Sequence, residues 1–166
     1  MHKSEIEIES TLNQGSVFSF DISFHKTQSP VHSSLAQSSL SAKSLNGLRI
    51  LLAEDNEMNV VFMKKLFSNW DVHLETVEDG EKVIETLSQQ DFDVILMDIH
   101  MPVMDGYTAT QKIRSMENHK KANIHIIALT ASSSSEMENI KEKGMDDYLT
   151  KPFPVQTLKE KLNNIA

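Results

Sequence analysis

The chain has 166 residues, of which 39% are hydrophobic and 24% charged, and its formal net charge is −8. An acidic surface does not attract a nucleic-acid backbone, so the charge argues against DNA or RNA as a partner. Cysteine is absent, which excludes disulfides, thiolate metal sites and thiol catalysis. No apolar run approaches the roughly 18–20 residues that cross a bilayer, and no signal-peptide pattern opens the chain. We therefore expect a cytoplasmic protein, with no direct membrane contact by this segment.

Residues 1–26 predict two strands. Ile6 and Ile8 alternate with glutamates, and beyond the turn at residues 13–15 every second residue from Phe18 to Phe24 is a large apolar one. This period of two is typical of strands with one apolar face. A lone hairpin is marginally stable in water, so that face needs a partner layer. The segment is interpreted as the end of a larger domain, or as an edge hairpin docked on the rest of the chain.

Residues 27–46 hold seven serines, one proline and no aromatic residue. So little apolar surface cannot offset the entropy lost on ordering, and the composition predicts a flexible linker.

Residues 47–166 alternate predicted strands and helices. The predicted strands are Leu48–Ala53, His73–Val77, Val94–Asp98, Ile124–Leu129 and Asp147–Leu149. Helical spacing or capping patterns follow each of them, at Asn56–Asn69, Val83–Leu87, from the Pro102–Gly106 loop through Arg114, at Ser132–Lys143 and at Val155–Asn163. Five such units predict an α/β fold with a doubly wound parallel sheet and right-handed crossovers.

Polar residues of unlike chemistry follow four of these strands. Glu54 and Asp55 follow the first strand, Asp98 ends the third, Thr130 follows the fourth and Lys151 follows the fifth. The carboxyl ends of parallel strands face one crevice, which is where such folds bind ligands. Three carboxylates, a hydroxyl and an ammonium in one pocket are suited to a divalent metal and a phosphoryl group.

The three carboxylates predict a site for a hard cation if the first and third strands are neighbours. Mg²⁺ takes oxygen ligands and usually keeps several waters beside one or two carboxylates. Alternatively, Asp55 or Asn56 caps the following helix, which explains neither Glu54 nor Asp98. Asp98 is the candidate nucleophile, because a carboxylate can attack phosphorus and form an acyl phosphate. Such transfer depends mainly on positioning and charge neutralisation, which a metal and Lys151 would supply.

Four stretches of residues 47–166 resemble, in order and spacing, the motifs of receiver (response-regulator) domains: LLAEDNEMN, DVILMDIHMPVMDGYTATQKIR, IIALTA and DDYLTKPF. The resemblance implies a flavodoxin-like five-stranded sheet of order 2-1-3-4-5, with Asp98 as the phospho-acceptor. It further implies Mg²⁺ (or Mn²⁺) bound by Asp55 and Asp98, with Glu54 acting largely through water and His100 contributing its backbone carbonyl.

By the same resemblance, Thr130 and Lys151 are phosphoryl ligands, Tyr148 is the aromatic switch residue, and the Lys151-Pro152 peptide bond is cis. The side chain of His100 either reaches the phosphoryl group or is a solvent-facing loop residue. Tyr148 is alternatively a half-buried strand aromatic.

The stretch SEIEIESTLNQGSVFSFDISF resembles the last two strands of the ATP-binding domain of sensor histidine kinases. With the linker and the receiver-like region, this order implies the C-terminal part of a hybrid histidine kinase. Its kinase machinery, and any membrane anchor, would lie upstream of this chain.

The preferred hypothesis is a phospho-accepting receiver domain that itself catalyses transfer to Asp98 from the phosphohistidine of a kinase or phosphotransfer domain. A downstream protein would then bind the face made by the fourth helix, fifth strand and fifth helix of the receiver region. A phosphohydrolase with an Asp nucleophile is one alternative, but its acid/base Asp would stand where His100 does. A phosphorylation-independent docking module is another.

Overall fold

The computed structural model describes residues 6–11, 15–20, 45–131 and 139–165. The chain divides into two compact units, Met1–Ser38 and Ser39–Ala166. Ile22, Phe24, most of the predicted turn and residues 27–44 of the predicted linker lie outside the described residues. Among the described helices, none is long and apolar enough to cross a bilayer.

The first unit contains an antiparallel hairpin. Its strands are β1 (Ile6–Thr11) and β2 (Gly15–Phe20), paired with Ile6 opposite Phe20 and Ile8 opposite Phe18. Cross-strand partners share a face, so these four side chains form one apolar surface, and each is 60–68% exposed. The predicted alternation is confirmed, and the apolar surface has no covering layer among the described residues of this unit.

The second unit contains a five-stranded parallel sheet. Its strands are β3 (Arg49–Ala53), β4 (His73–Val77), β5 (Val94–Asp98), β6 (His125–Thr130) and β7 (Asp147–Thr150). They are arranged in the order β4-β3-β5-β6-β7, and every neighbouring pair is parallel. Counted within this unit the order is 2-1-3-4-5, which confirms the predicted flavodoxin-like topology.

The helices of this unit are α1 (Glu57–Phe67), α2 (Gly80–Gln89), α3 (Gly106–Arg114), α4 (His119–Ala122) and α5 (Val155–Asn163). Residues 139–142 are also helical; they are the end of the predicted Ser132–Lys143 helix, whose start lies outside the described residues. That helix stops at Gly144, as predicted, in the left-handed region with φ of 91°.

The sheet is buried on both faces. One face packs on α2 and α3 through Val83, Leu87 and Ile113, and the other packs on α1 and α5 through Phe67 and Leu158. All five residues of β5 are buried. Strands covered on both sides read as continuous apolar runs, which is why the sequence predicted them well. Leu45, at the end of the predicted linker, is 5% exposed and belongs to this core.

Helix α1 leaves exposed three of the apolar residues whose helical spacing predicted it, while a fourth, Leu66, is partly buried against the core. Met58, Val61 and Phe62 are 76%, 60% and 53% exposed, whereas Met63 and Phe67 are each 2% exposed. Met63 and Phe67 are four residues apart, so they share one side of the helix and pack on the sheet together. The periodicity predicted the helix correctly but did not determine which side faces the sheet, because both sides of its surface carry apolar residues.

Arg114 binds four acceptors in two short stretches, residues 122–124 and 144–146, at the amino ends of β6 and β7. Its guanidinium donates to the carbonyl oxygens of Ala122 (2.7 Å), Ile124 (2.8 Å) and Gly144 (2.8 Å), and to the carboxylate of Asp146 (2.8 Å). A rigid fork of five N–H donors can serve several acceptors at once. We call this group of contacts the Arg114 bracket; it lies at the opposite end of the strands from the polar residues described next.

Candidate functional site

The carboxyl ends of four neighbouring strands bring the predicted polar residues together. Glu54 directly follows β3, Asp98 ends β5, Thr130 ends β6 and Lys151 directly follows β7. Glu54, Asp98 and Thr130 are 3%, 9% and 1% exposed. The ammonium of Lys151 lies between two acids: its Nζ is 2.6 Å from Glu54 Oε2 and 2.6 Å from Asp98 Oδ2. The predicted pocket therefore exists, and one cation spans two of its carboxylates.

Three carboxylates of this pocket are close enough to share one cation. Oxygen atoms of Glu54, Asp55 and Asp98 all lie within 4.8 Å of one another, and Asp55 is exposed to solvent. Helix α1 is capped by Asn56, whose Oδ1 accepts from the N–H groups of Met58 and Asn59. The capping role that the sequence left open between Asp55 and Asn56 thus belongs to Asn56. A set of oxygen donors with one water-exposed member fits a hard divalent cation such as Mg²⁺.

Lys151 is held in its charged form. Burial is the largest effect on its pKa and lowers it. The hydrogen bonds that the ammonium donates to Asp98 and Glu54, together with the negative charges of these carboxylates, raise the pKa above that of an ordinary lysine. The two carboxylates outweigh the burial because both are within contact distance of the ammonium. The pocket consequently presents a permanent positive charge next to Asp98.

The backbone around Asp98 is fixed by a tight loop. Asp98 Oδ1 accepts from the N–H of His100 at 3.1 Å, and the N–H of Gly106 donates to the carbonyl oxygen of Ile99 at 2.9 Å. A Cβ atom on Gly106 would lie 2.3 Å from the carbonyl oxygen of Asp98. Only glycine allows α3 to begin so close to the end of β5. His100, by contrast, is exposed.

Thr130 and Lys151 are linked through the backbone. The N–H of Lys151 donates to the carbonyl oxygen of Thr130 at 2.6 Å, and Thr130 pairs with Thr150 in the sheet register. The Lys151-Pro152 bond is cis, as predicted. These contacts bring the hydroxyl-bearing and ammonium-bearing residues to the same edge of the sheet.

Tyr148 is half-buried on β7, the last strand of the sheet. Its ring centroid is 5.8 Å from Nζ of Lys161, which also donates to both carboxylate oxygens of Asp147 at 2.7 and 2.6 Å. Tyr148 thus lies on the same strand that leads to Lys151, in contact with a cation of α5. Both interpretations of this residue, switch and half-buried aromatic, are compatible with that position.

One polar contact of the pocket was not predicted. Asn59 Nδ2, on the first turn of α1, donates to Glu54 Oε1 at 2.7 Å. Asn59 was within the quoted motif LLAEDNEMN, but the sequence assigned it no role. Its spacing five residues after Glu54, just inside a capped helix, was the signal available.

Two cavities flank α1 next to the pocket. A cavity of 680 Å³ lies on one side, between Asp55, Val61 and Val103. A second, of 490 Å³, borders Asn59, Phe62 and Lys151 on the other side. The exposed apolar residues of α1 therefore form a ridge between two open grooves.

Comparison with known proteins gives a consistent result. Residues 50–163 match the model of the response regulator receiver domain. The chain is 31% identical, over 163 residues, to the autoinducer 2 sensor kinase/phosphatase LuxQ of Vibrio vulnificus, covering 98% of this chain and 19% of LuxQ. The chain spans 4–19% of the length of the curated relatives that it matches, which are sensor and histidine kinases.

Two solved structures are also similar. One is the receiver domain of sensor histidine kinase PA1611 from Pseudomonas aeruginosa, which was crystallised with magnesium coordinated in its active site cleft. Its sequence is 38% identical to this chain, the TM-score is 0.66, and the match covers 72% of this chain and 97% of that one. The Ssk1 receiver domain of Saccharomyces cerevisiae, crystallised with the histidine phosphotransfer protein Ypd1, is 26% identical with a TM-score of 0.66, covering 72% and 89%.

Proposed function

The chain belongs to the response regulator receiver domain family, and we propose that Asp98 is the residue through which it accepts a phosphoryl group. The observation that carries this proposal is the arrangement around Asp98. A nearly buried carboxylate at the end of a central strand contacts the ammonium of Lys151 at 2.6 Å and belongs to a cluster of three acids. Positive charge on one side and a cation site on the other are what phosphoryl transfer to an acid requires.

The reaction transfers a phosphoryl group from nitrogen to oxygen. A carboxylate oxygen of Asp98 forms a bond to phosphorus while the bond from phosphorus to the imidazole nitrogen of a donor histidine breaks, and the imidazole leaves. Lys151 stays protonated and neutralises a phosphoryl oxygen, to which the Thr130 hydroxyl donates. Asp55 and Asp98, with Glu54 through water and the His100 carbonyl, would hold the metal. When bound, a divalent cation supplies further neutralisation of charge on the phosphoryl oxygens.

We propose Mg²⁺ as the cation. This choice is supported by the side-chain ligands available, which are all carboxylate oxygens and include those of the solvent-exposed Asp55. The similar PA1611 receiver domain holds magnesium in its active site cleft. Mn²⁺ has the same preference for oxygen ligands and would serve as a substitute.

The proposed donor is the phosphohistidine of a kinase or phosphotransfer domain. Support comes from the similarity to the Ssk1 receiver domain, which was crystallised with a histidine phosphotransfer protein. Met58, Val61 and Phe62 form an exposed apolar ridge on α1, and Phe62 borders the same cavity as Lys151. Exposed apolar surface next to a reaction site is suited to a protein substrate, so we assign this ridge to the donor.

For the downstream partner, we propose the face made by residues 139–142, β7 and α5. A cavity of 350 Å³ on this face is bordered by Tyr148, Phe153 and Lys161. Tyr148 belongs to the strand that leads to Lys151, so a change at the phosphoryl site can reach this face through one short segment.

We also propose that the hairpin is the end of a kinase ATP-binding domain and that the parent protein is a hybrid histidine kinase. The match to LuxQ covers 98% of this chain, so it extends into the hairpin. The apolar face of Ile6, Ile8, Phe18 and Phe20 would then be covered by the rest of that domain.

The first experiment tests phosphoryl acceptance. Incubation with acetyl phosphate and Mg²⁺, followed by intact-mass spectrometry, should add one phosphoryl group to the wild type and none to Asp98→Asn. Asp91→Asn removes a different, surface carboxylate that pairs with Lys120, and it should be labelled as the wild type is. An unlabelled wild type would refute the proposal. Turnover of p-nitrophenyl phosphate would favour a phosphohydrolase instead.

The second experiment tests the donor surface. Phe62→Ser should slow transfer from a phosphorylated histidine phosphotransfer protein while leaving labelling by acetyl phosphate unchanged, because a small donor does not need the ridge. Val155→Ser is the control, since Val155 is 41% exposed on α5. Equal transfer rates for the Phe62 variant and the wild type would exclude the ridge as the donor surface.

A further inference from the structure

Glu54 has one partner on each of its two carboxylate oxygens. Oε2 accepts from the ammonium of Lys151 at 2.6 Å, and Oε1 accepts from the side-chain amide of Asn59 at 2.7 Å. Glu54 is 3% exposed, so water has little access to replace either donor. Two fixed donors on a buried carboxylate determine the plane in which that carboxylate lies.

Asn59 is itself fixed by the start of α1. Its backbone N–H donates to the side chain of Asn56, the residue that caps the helix. The backbone of Asn59 is thus held in the first helical turn while its side chain points back to the end of β3. One residue thereby connects the helix cap to the acidic cluster.

We infer that Asn59 is a positioning residue that orients Glu54 for the metal and limits its hold on Lys151. Lys151 is shared between Glu54 and Asp98 at equal distances of 2.6 Å. A phosphoryl group on Asp98 needs that ammonium, so Glu54 competes with it for the same cation. The amide of Asn59 satisfies the second oxygen of Glu54, which keeps this carboxylate in place when Lys151 turns towards the phosphoryl group. This inference rests on the proposed function.

Loss of the amide should therefore affect two separate properties. Glu54 would lose its fixed plane, which weakens metal binding. Loss of an outer-shell partner of a metal site typically costs about 10–100-fold in affinity, and we expect the lower end of this range because Glu54 acts on the metal through water. Glu54 would also turn further onto Lys151, which slows phosphorylation even when the metal is saturating. Neither effect needs a change in the stability of the fold.

The test compares Asn59→Leu with Asn69→Leu, a matched substitution on the exposed residue beyond the other end of α1. Leucine should be accommodated at position 59, because Asn59 borders a cavity whose other walls include Phe62 and Met63. Mg²⁺ alone is titrated into each protein, and affinity is measured from backbone amide shifts in NMR spectra. Urea unfolding gives the stability of each variant, and acetyl phosphate labelling at saturating Mg²⁺ gives the phosphorylation rate.

Asn59→Leu should bind Mg²⁺ about 10-fold more weakly than the wild type, whereas Asn69→Leu should bind it with wild-type affinity. Asn59→Gln keeps an amide donor, so its Mg²⁺ affinity should lie between those of Asn59→Leu and the wild type. Normal Mg²⁺ affinity in Asn59→Leu, or an equal loss in Asn69→Leu, would overturn the inference. These results are distinguishable from failure of the proposed function, in which the wild type itself would neither bind Mg²⁺ nor become labelled.

Discussion

Replacing Lys151 with methionine should destabilise the metal-free domain and make its stability depend on Mg²⁺. Methionine keeps the apolar stem but removes two ion pairs of 2.6 Å. Glu54, whose side chain is 2% exposed, would then face Asp98 and Asp55 without a cation. Removing one partner of a buried pair costs about 3–5 kcal/mol, and because the Lys151 side chain is 26% exposed we expect a smaller loss, about 2–4 kcal/mol.

Mg²⁺ should restore part of this stability, because a divalent cation can neutralise the same carboxylates. Binding to the folded state alone adds about 1.4 kcal/mol when the free metal is at ten times its dissociation constant. The gain at a given Mg²⁺ concentration should be larger in Lys151→Met than in the wild type, since the ammonium no longer competes with the metal for Glu54 and Asp98. Urea unfolding at several Mg²⁺ concentrations measures both effects.

Lys161→Met is the matched control, because Lys161 also makes short contacts with a carboxylate, that of Asp147. Lys161 is about as exposed as Lys151, but its partner Asp147 is 32% exposed, against 2% for Glu54. Water can therefore solvate Asp147 when the ammonium is removed, and the loss should be about 1 kcal/mol or less, with no greater response to Mg²⁺ than the wild type has. Wild-type stability of Lys151→Met without metal, or equal stabilisation of Lys151→Met and Lys161→Met by Mg²⁺, would show that Lys151 does not offset the charge of the buried carboxylates.

Three further predictions concern the frame around the site. Gly106→Ala should lower the free energy of unfolding in urea by about 1–3 kcal/mol, because the new Cβ would lie 2.3 Å from the carbonyl oxygen of Asp98. Its folded fraction should also be labelled slowly by acetyl phosphate, and wild-type stability would contradict that contact. Arg114→Lys should lower the free energy of unfolding by about 1–3 kcal/mol, since an ammonium cannot donate to all four acceptors of the Arg114 bracket. An unchanged midpoint of urea unfolding would count against the stabilising role of these contacts. Asn56→Ala should cost about 1 kcal/mol through loss of the α1 cap, which thermal unfolding would detect and Asn69→Ala would not reproduce.

Most of the sheet could be predicted from the sequence because its strands are buried on both faces. Continuous apolar runs such as Val94–Asp98 have few alternative structures, and their bounds agree with the observed strands to within one residue. Helix α4 (His119–Ala122) was missed because it is a single turn of mostly polar residues, capped by Asn118. Four residues carry too little periodicity to identify a helix.

The position of the site was predictable, but its internal contacts were not. Strand ends placed Glu54, Asp98 and Lys151 in one pocket, since parallel strands share a direction. The sequence does not show that one oxygen of Glu54 contacts Lys151 and the other accepts from Asn59. These contacts depend on side-chain rotamers, which are set by packing rather than by sequence spacing. The outward direction of Phe62 was missed for a related reason. Apolar residues on both sides of α1 leave its rotation undetermined until the sheet is in place.

The Arg114 bracket bears on how freely sequences of this kind can diverge. Three of its four acceptors are backbone carbonyl oxygens, which are present whatever side chains the residues carry. Positions 122 and 124 can therefore change without loss of the hydrogen bonds that join them to Arg114. Position 144 cannot, because a Cβ there would lie 3.2 Å from Arg114 Cγ on a backbone with φ of 91°. We expect natural variation to retain an arginine and a glycine at positions 114 and 144, while the side chains at positions 122 and 124 vary.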